Sequence, residues 1–189
     1  MKPERADSTR LVCPLFQAGD GGAKPTSALQ LFMSEISLEQ AMLLNAKWHS
    51  VLPQTDKDNL TRVDTLKCYG ADFNGTLYAV AIWTNPVARL LPYHTTLELR
   101  RLAIPEDAPK NTASRMLRIM RMLIHKTCPY IKTLISYQDT EAHTGGIYKA
   151  AGWKAVSTSQ DGEWNRPSRK RKKAQSAAPK VRWELNLAS

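Results

Sequence analysis

Apolar residues change their spacing from one stretch of the chain to the next, and each spacing predicts an element. Residues 1–28 carry Pro3, Pro14, Pro25, Gly19, Gly21 and Gly22 without sustained periodicity and are expected to be irregular. A short apolar run predicts a strand at Leu29–Met33. Ser37-Leu38-Glu39-Gln40 reads as a capping box opening a helix that runs to about Lys47. Pro53 closes that segment, and 54–62 is polar and loop-like. Leu66–Phe73 and Leu77–Trp83 read as strands joined by Asn74-Gly75, a pair that supplies the positive φ angles of a type I′ hairpin turn. Thr95–Ile104 is a third core strand. Met116, Leu117, Met120, Leu123 and Ile124 form one helical stripe, which predicts a long helix from Asn111-Thr112 to about Lys126, stopped by Pro129. Arg115, Arg118 and Arg121 fall mostly off that stripe. A strand at Thr133–Tyr137 follows, then a helix from Thr144 or Gly145 through Ala151 with Gly152 as its C-cap. Strands at Trp153–Ser157 and Val181–Leu187 complete the order.

This order predicts a mixed α/β (α+β) domain over residues 29–189, a sheet with helices on both faces, with no internal repeat. A basic loop, 160–180, is expected between the last two strands. The 189 residues allow one domain plus appendages. Cys13, Cys68 and Cys128 are odd in number and far apart, which excludes a disulfide framework and a CxxC zinc clip. No run approaches the roughly 20 apolar residues of a membrane helix, and the first residues lack a secretory signal, so a cytoplasmic protein with no membrane partner is expected.

Charge narrows the partners. Lysine and arginine number 27 against 17 acids, a net charge of +10. Arg166, Arg169, Lys170, Arg171, Lys172 and Lys173 are concentrated in RPSRKRKK, followed by a small, flexible stretch. Such a block repels itself and reads as an arm or loop. It serves equally as a phosphate grip, a localisation signal or a solvated loop. Counterion release makes nucleic acid the favoured partner of the whole chain.

Candidate chemistry gathers at three places. Lys110, Asn111, Thr112, Ser114 and Arg115 surround the start of the long helix, where free N–H groups and the helix dipole suit a pyrophosphate, although an ordinary N-cap would look similar. Polar residues crowd the end of a buried strand at Ser136-Tyr137-Gln138-Asp139 and continue through Glu141, His143 and Gly145. Open sheets bind ligands at such ends. Asp139, Glu141 and His143 could serve there as bases or metal ligands, or as an ordinary polar loop. His49, in Trp48-His49-Ser50, leaves a helix as either a structural or a catalytic imidazole. His94 and His125 have no supporting pattern.

Gly146-Ile147-Tyr148-Lys149-Ala150-Ala151-Gly152-Trp153 resembles the closing helix-to-strand signature of the GNAT acyltransferase superfamily. The chain resembles the bacteriophage Mom family of DNA-modification proteins more closely. The carrying motifs are Lys47-Trp48-His49-Ser50, Leu99-Arg100-Arg101-Leu102, Ala108-Pro109-Lys110-Asn111-Thr112-Ala113-Ser114, and Ser136-Tyr137-Gln138-Asp139 with His143-Thr144-Gly145 and Tyr148. They span about residues 37–157.

The resemblance implies a GNAT-like, mostly antiparallel sheet and transfer of a carbamoylmethyl group to adenine N6 in duplex DNA, which protects phage DNA from restriction. His49 and Asp139 look like a polar pair that does chemistry or holds iron. Arg101, Ser114 and Ser136 look like site-lining residues, and Tyr148 sits where GNAT enzymes often keep an acid for the departing thiolate. The donor stays open between acetyl-CoA and a related acyl or glycyl donor, because Pro109-Lys110-Asn111-Thr112-Ala113-Ser114 replaces the glycine-rich pyrophosphate loop. Ser-Val-Leu-Pro after His49 also departs from the expected neighbouring aromatic. A homodimer is compatible with the pattern. The competing readings are a GNAT N-acetyltransferase acting on a small-molecule or protein amine and a non-catalytic DNA-binding protein on the same scaffold.

The chemistry itself sets requirements. The adenine amine is a weak nucleophile, so a base must take its proton as the new bond forms. Asp139 is the first candidate and His49 the second. Backbone N–H groups at Leu102–Ile104 are placed to stabilise an oxyanion. The base must leave the stack at a cost of a few kcal/mol. The block at 166–173 and Arg115, Arg118 and Arg121 are the expected phosphate contacts that supply it.

Overall fold

The computed structural model describes residues 24–49, 57–159 and 178–187. In chain order the elements are β1 (Phe32–Glu35), α1 (Leu38–Trp48), α2 (Lys57–Thr61), β2 (Leu66–Phe73), β3 (Thr76–Thr84), β4 (Thr96–Ala103), α3 (Thr112–Thr127), β5 (Thr133–Asp139), α4 (Gly146–Ala150), β6 (Lys154–Ser159) and β7 (Lys180–Asn186). Among the described residues these strands form one seven-stranded sheet, ordered β1-β2-β3-β4-β5-β7-β6. The β4–β5 pair is parallel and the other neighbours are antiparallel. This is the expected GNAT-like architecture. A parallel pair needs a crossover, and α3 provides it.

Local chemistry accounts for the elements. Asn74 and Gly75 hold φ of 51° and 81° and turn β2 into β3. The Ser37 hydroxyl accepts the Gln40 N–H at 3.1 Å and starts α1. Alternation along the strands then divides the core between the two faces of the sheet. Ala79, Ala81 and Trp83 of β3 join Met116, Leu117, Met120 and Ile124 of α3 in the larger cluster, which continues into Tyr148, Trp153 and Trp183. Ile82 and Cys68 point the other way, against Ala41 of α1 and Leu60 of α2.

The structure corrects two local expectations and bears out the start of α3 at Asn111-Thr112. Lys57–Thr61 is a helical turn within the stretch expected to be loop, because Leu60 is buried against the sheet although its neighbours are polar. The first strand lies at Phe32–Glu35 and not at Leu29–Met33, since Ser27 caps a short 3-10 turn over Ala28–Gln30 and only then does the chain extend. Asn111 caps α3 through a left-handed backbone at φ 67°, and its side chain makes no capping bond.

A bulge positions the site. Ile82 pairs with Arg101 and Trp83 with Leu99, which leaves Arg100 as the extra residue on β4. Pairing between β4 and β5 runs from Thr96↔Thr133 to Leu99↔Ser136 and stops. Beyond that point β5 continues against β7 as far as Asp139↔Lys180. The two parallel strands therefore part after Leu99, and the sheet opens between Arg100–Ala103 and 137–139.

Candidate active site

The loop following β5 is built as a rigid bracket. Asp139 Oδ1 accepts the backbone N–H groups of Glu141 at 3.1 Å and Ala142 at 3.3 Å. The His143 N–H donates to the Asp139 carbonyl at 3.0 Å. From the core side, Gln138 Nε2 donates to the His143 carbonyl at 2.5 Å, while Gln138 Oε1 accepts Trp183 Nε1 at 2.7 Å. Gly145 closes the bracket at φ 75°, and a Cβ there would lie 2.5 Å from Gln138 Oε1 and 2.7 Å from Trp183 Cζ2. Only glycine fits this backbone and this space.

The bracket faces the start of α3 across a cleft of about 430 Å³. Ile104, Asn111, Thr112 and Ser114 line one wall, and His143, Thr144, Gly145 and Ile147 the other. Thr112 Oγ1 donates to the Pro109 carbonyl at 2.7 Å and Ser114 Oγ to the Asn111 carbonyl at 3.1 Å. These bonds tighten the first turn of α3, which contains no acidic residue. The wall thus presents the positive end of a helix dipole, suited to an anion. Of the residues expected to bind a cofactor, Asn111, Thr112 and Ser114 line the cleft. Lys110, Arg115 and Arg101 are not in its lining.

On the opposite side of the open sheet, His49 is the C-cap of α1, with its N–H on the Asn45 carbonyl at 2.9 Å. Burial, then the positive charges of Arg101 and His143, lower its pKa to about 4 from an ordinary 6.5. The ring is therefore neutral at pH 7. Arg101 donates from Nη1 to the Arg100 carbonyl at 2.7 Å, and its buried Nε has no hydrogen-bond partner among the described residues. Burial also lowers the Arg101 pKa. His143 belongs to both settings, since it lines the cleft and acts on His49.

Ser136 and Tyr148 lie deeper. Their hydroxyls are 2.8 Å apart in a buried hydrogen bond. The Tyr148 ring stacks on Trp183, with centroids 5.3 Å apart and planes 15° from parallel. Burial raises its pKa, and it is not among the residues lining the cleft. Gln138 and Trp183 did not stand out as functional in the sequence. The available signal was periodicity: Gln138 shares a strand face with Leu134 and Ser136 and is a polar residue at a core position.

Iron finds no support in the donor set. Among the described residues no three His, Cys, Asp or Glu side chains gather as a metal site, and one Asp139 oxygen is committed to its own loop. The basic positions Arg166, Arg169, Lys170, Arg171, Lys172 and Lys173 lie outside the described residues. The chain on either side of them is anchored at the site's rim. Ser159 and Lys180 are paired next to Asp139, and Thr140 donates from both N and Oγ1 to the Pro179 carbonyl, at 3.2 and 2.9 Å. No described helix is long and apolar enough to cross a membrane.

Comparison with known proteins now bears on this geometry. Residues 31–184 match the Mom protein family. The chain belongs to the Mom family. No curated protein matches the sequence. Solved structures show the fold of this Mom-family chain. A Bacillus subtilis acetyltransferase in complex with CoA superimposes with a TM-score of 0.59 at 14% identity, covering 82% of this chain and 98% of the other. The ribosomal-protein-S18-alanine N-acetyltransferase from Escherichia coli gives 0.59 at 13% identity, covering 83% and 94%. Spermidine N-acetyltransferase from Vibrio cholerae, in complex with CoA and spermine, gives 0.59 at 11% identity, covering 85% and 97%.

Proposed function

We propose that this Mom-family protein transfers an acyl group from a CoA-type thioester to the N6 amine of adenine in duplex DNA. One observation carries the reading: His143, which lines the cleft at the start of α3, also acts electrostatically on the neutral imidazole of His49, where the sheet opens between β4 and β5. A donor held on one side of the sheet and a base held on the other would share that opening. Family membership and the net charge of +10 support DNA as the acceptor.

The cleft fits a phosphate-bearing donor. The first turn of α3 at Thr112–Ser114 would take its phosphates, and the bracket wall would take its neck. When bound, such a donor supplies an acyl carbon activated by a thiolate leaving group. His49 takes the N6 proton as the amine attacks, because a neutral ring is ready to accept it across the physiological range. The orphan Arg101 Nε and the β4 backbone beyond Leu99 are placed to stabilise negative charge on the carbonyl oxygen. Asp139 acts through the loop it folds, so His49 takes precedence over it as the base. The basic positions at 166–173 hold the duplex.

Mass spectrometry of nucleosides from cells expressing the protein tests the reading. Expected is a modified deoxyadenosine that disappears in His49→Ala. Unmodified DNA from cells containing folded wild-type protein would overturn it, and acetylated polyamines in the same cells would point to the small-amine reading.

A further inference from the structure

We propose that His143 is a catalytic residue of this transferase, the acid that protonates the leaving sulfur of a thioester held in the cleft. The inference rests on the acyl-transfer reading above and adds a residue to it. Thr, Ser and Asn supply the rest of the polar lining, and His143 is the one imidazole among the lining residues, the side-chain class most often used as a general acid or base. Its charge also acts on His49, the base proposed on the acceptor side of the sheet. With the donor's phosphates at the start of α3, its reactive end must lie towards that side. Tyr148 is absent from the lining and its hydroxyl is bonded to Ser136.

The scaffold fixes the loop that carries the imidazole. The Gln138 amide and the Asp139 carboxylate hold the loop from opposite sides, and Gly145 ends it against Trp183. His49 from α1 lies in the field of both His143 and Arg101 of β4, and Asp139 sits at the root of the His143 loop.

The step balances. The N6–C bond forms and the C–S bond breaks, with the bond pair leaving on sulfur. The N6 proton goes to His49, and the proton of the His143 imidazolium goes to sulfur. The two rings finish with the same total number of protons, and transfer from His49 to His143 resets them.

The test uses CoA and two acetyl donors with purified full-length protein, comparing wild type with His143→Ala and His143→Asn. With acetyl-CoA and duplex DNA, both variants are expected to lose about 10²–10⁴-fold in kcat. With S-acetyl-4-nitrothiophenol, whose thiolate leaves without a proton, variant and wild type are expected to agree within about threefold, near the spread of ordinary context effects. A second readout needs no turnover: the ultraviolet thiolate absorbance of bound CoA, titrated with pH, is expected to move upward by about one pH unit when the imidazole is removed. Unchanged kcat with acetyl-CoA, equal losses with both donors, or an unmoved thiol titration would each overturn the assignment. If wild type fails to modify DNA at all, the parent reading falls, while the CoA titration still decides whether His143 lies against the sulfur.

Discussion

Gln138 donates from its side-chain amide to the backbone carbonyl of His143 over 2.5 Å, and the same amide's oxygen accepts from Trp183. One buried glutamine thus ties the wall of the cleft to β7. In Gln138→Leu the buried Trp183 N–H loses its partner, at about 1–3 kcal/mol, and the part-buried His143 carbonyl loses one at smaller cost. For a chain of this size each kcal/mol lowers Tm by about 2–4 °C. Thermal unfolding is expected to show a fall of several degrees, with a raised KM for the donor. An unchanged Tm would mean that water satisfies both groups.

Gly145 and Gly152 both have positive φ, 75° and 82°. A Cβ at Gly152 meets nothing within 4 Å, whereas at Gly145 it strikes Gln138 and Trp183. Gly152→Ala is expected to cost about 1 kcal/mol from backbone strain alone. Gly145→Ala should cost clearly more and narrow the cleft. Urea unfolding of the two variants side by side measures the difference.

Tyr148→Phe keeps the stack on Trp183 and removes only the hydroxyl bonded to Ser136. A stability loss of about 1 kcal/mol is expected, with kcat within a few-fold of wild type. A loss of about 10²-fold or more is what removal of a general acid would produce, and steady-state kinetics separates the two.

His49 makes stability and rate depend on pH in a defined direction. Folding lowers its pKa from 6.5 to about 4, so the unfolded chain binds the extra proton between those values. Its contribution is complete above pH 6.5 and is lost as pH falls through that window. In His49→Asn this part of the acid destabilisation should vanish from a series of unfolding curves. As the base in the free enzyme, His49 should also place the acid limb of kcat/KM near pH 4. A limb near 6.5 would assign the proton to another group.

Phosphate contacts by the positions between Arg166 and Lys173 should appear in the salt dependence of DNA binding. If four to six contacts form, neutralising Arg166, Arg169, Lys170, Arg171, Lys172 and Lys173 should flatten the log-log slope by about 4–5. A slope equal to that of wild type would remove the block from the interface.

The candidate site was legible in pieces. Asn111, Thr112 and Ser114 stood out because a polar helix start after a core strand is a local pattern, and all three line the cleft. The polar stretch from Ser136 to Gly145 stood out for a similar reason, but the roles within it did not. Asp139 folds the loop, Gln138 anchors it and His143 faces the cleft. Hydrogen bonds to distant partners separate these roles, and Trp183 is one of them.

By itself the sequence determined the elements whose signals span a few residues. Asn74-Gly75 imposes its turn through backbone sterics, Ser37 starts α1 with one hydroxyl, and the apolar stripe from Met116 to Ile124 gives α3 a face to bury. Tertiary structure alone decided the bulge at Arg100, the parting of β4 from β5 after Leu99, and the charges of Arg101 and His143 that act on His49. Strand register is set by the burial of a whole sheet at once. The lowered pKa of His49 comes from burial and from charges on other elements, and neither exists until the chain has packed.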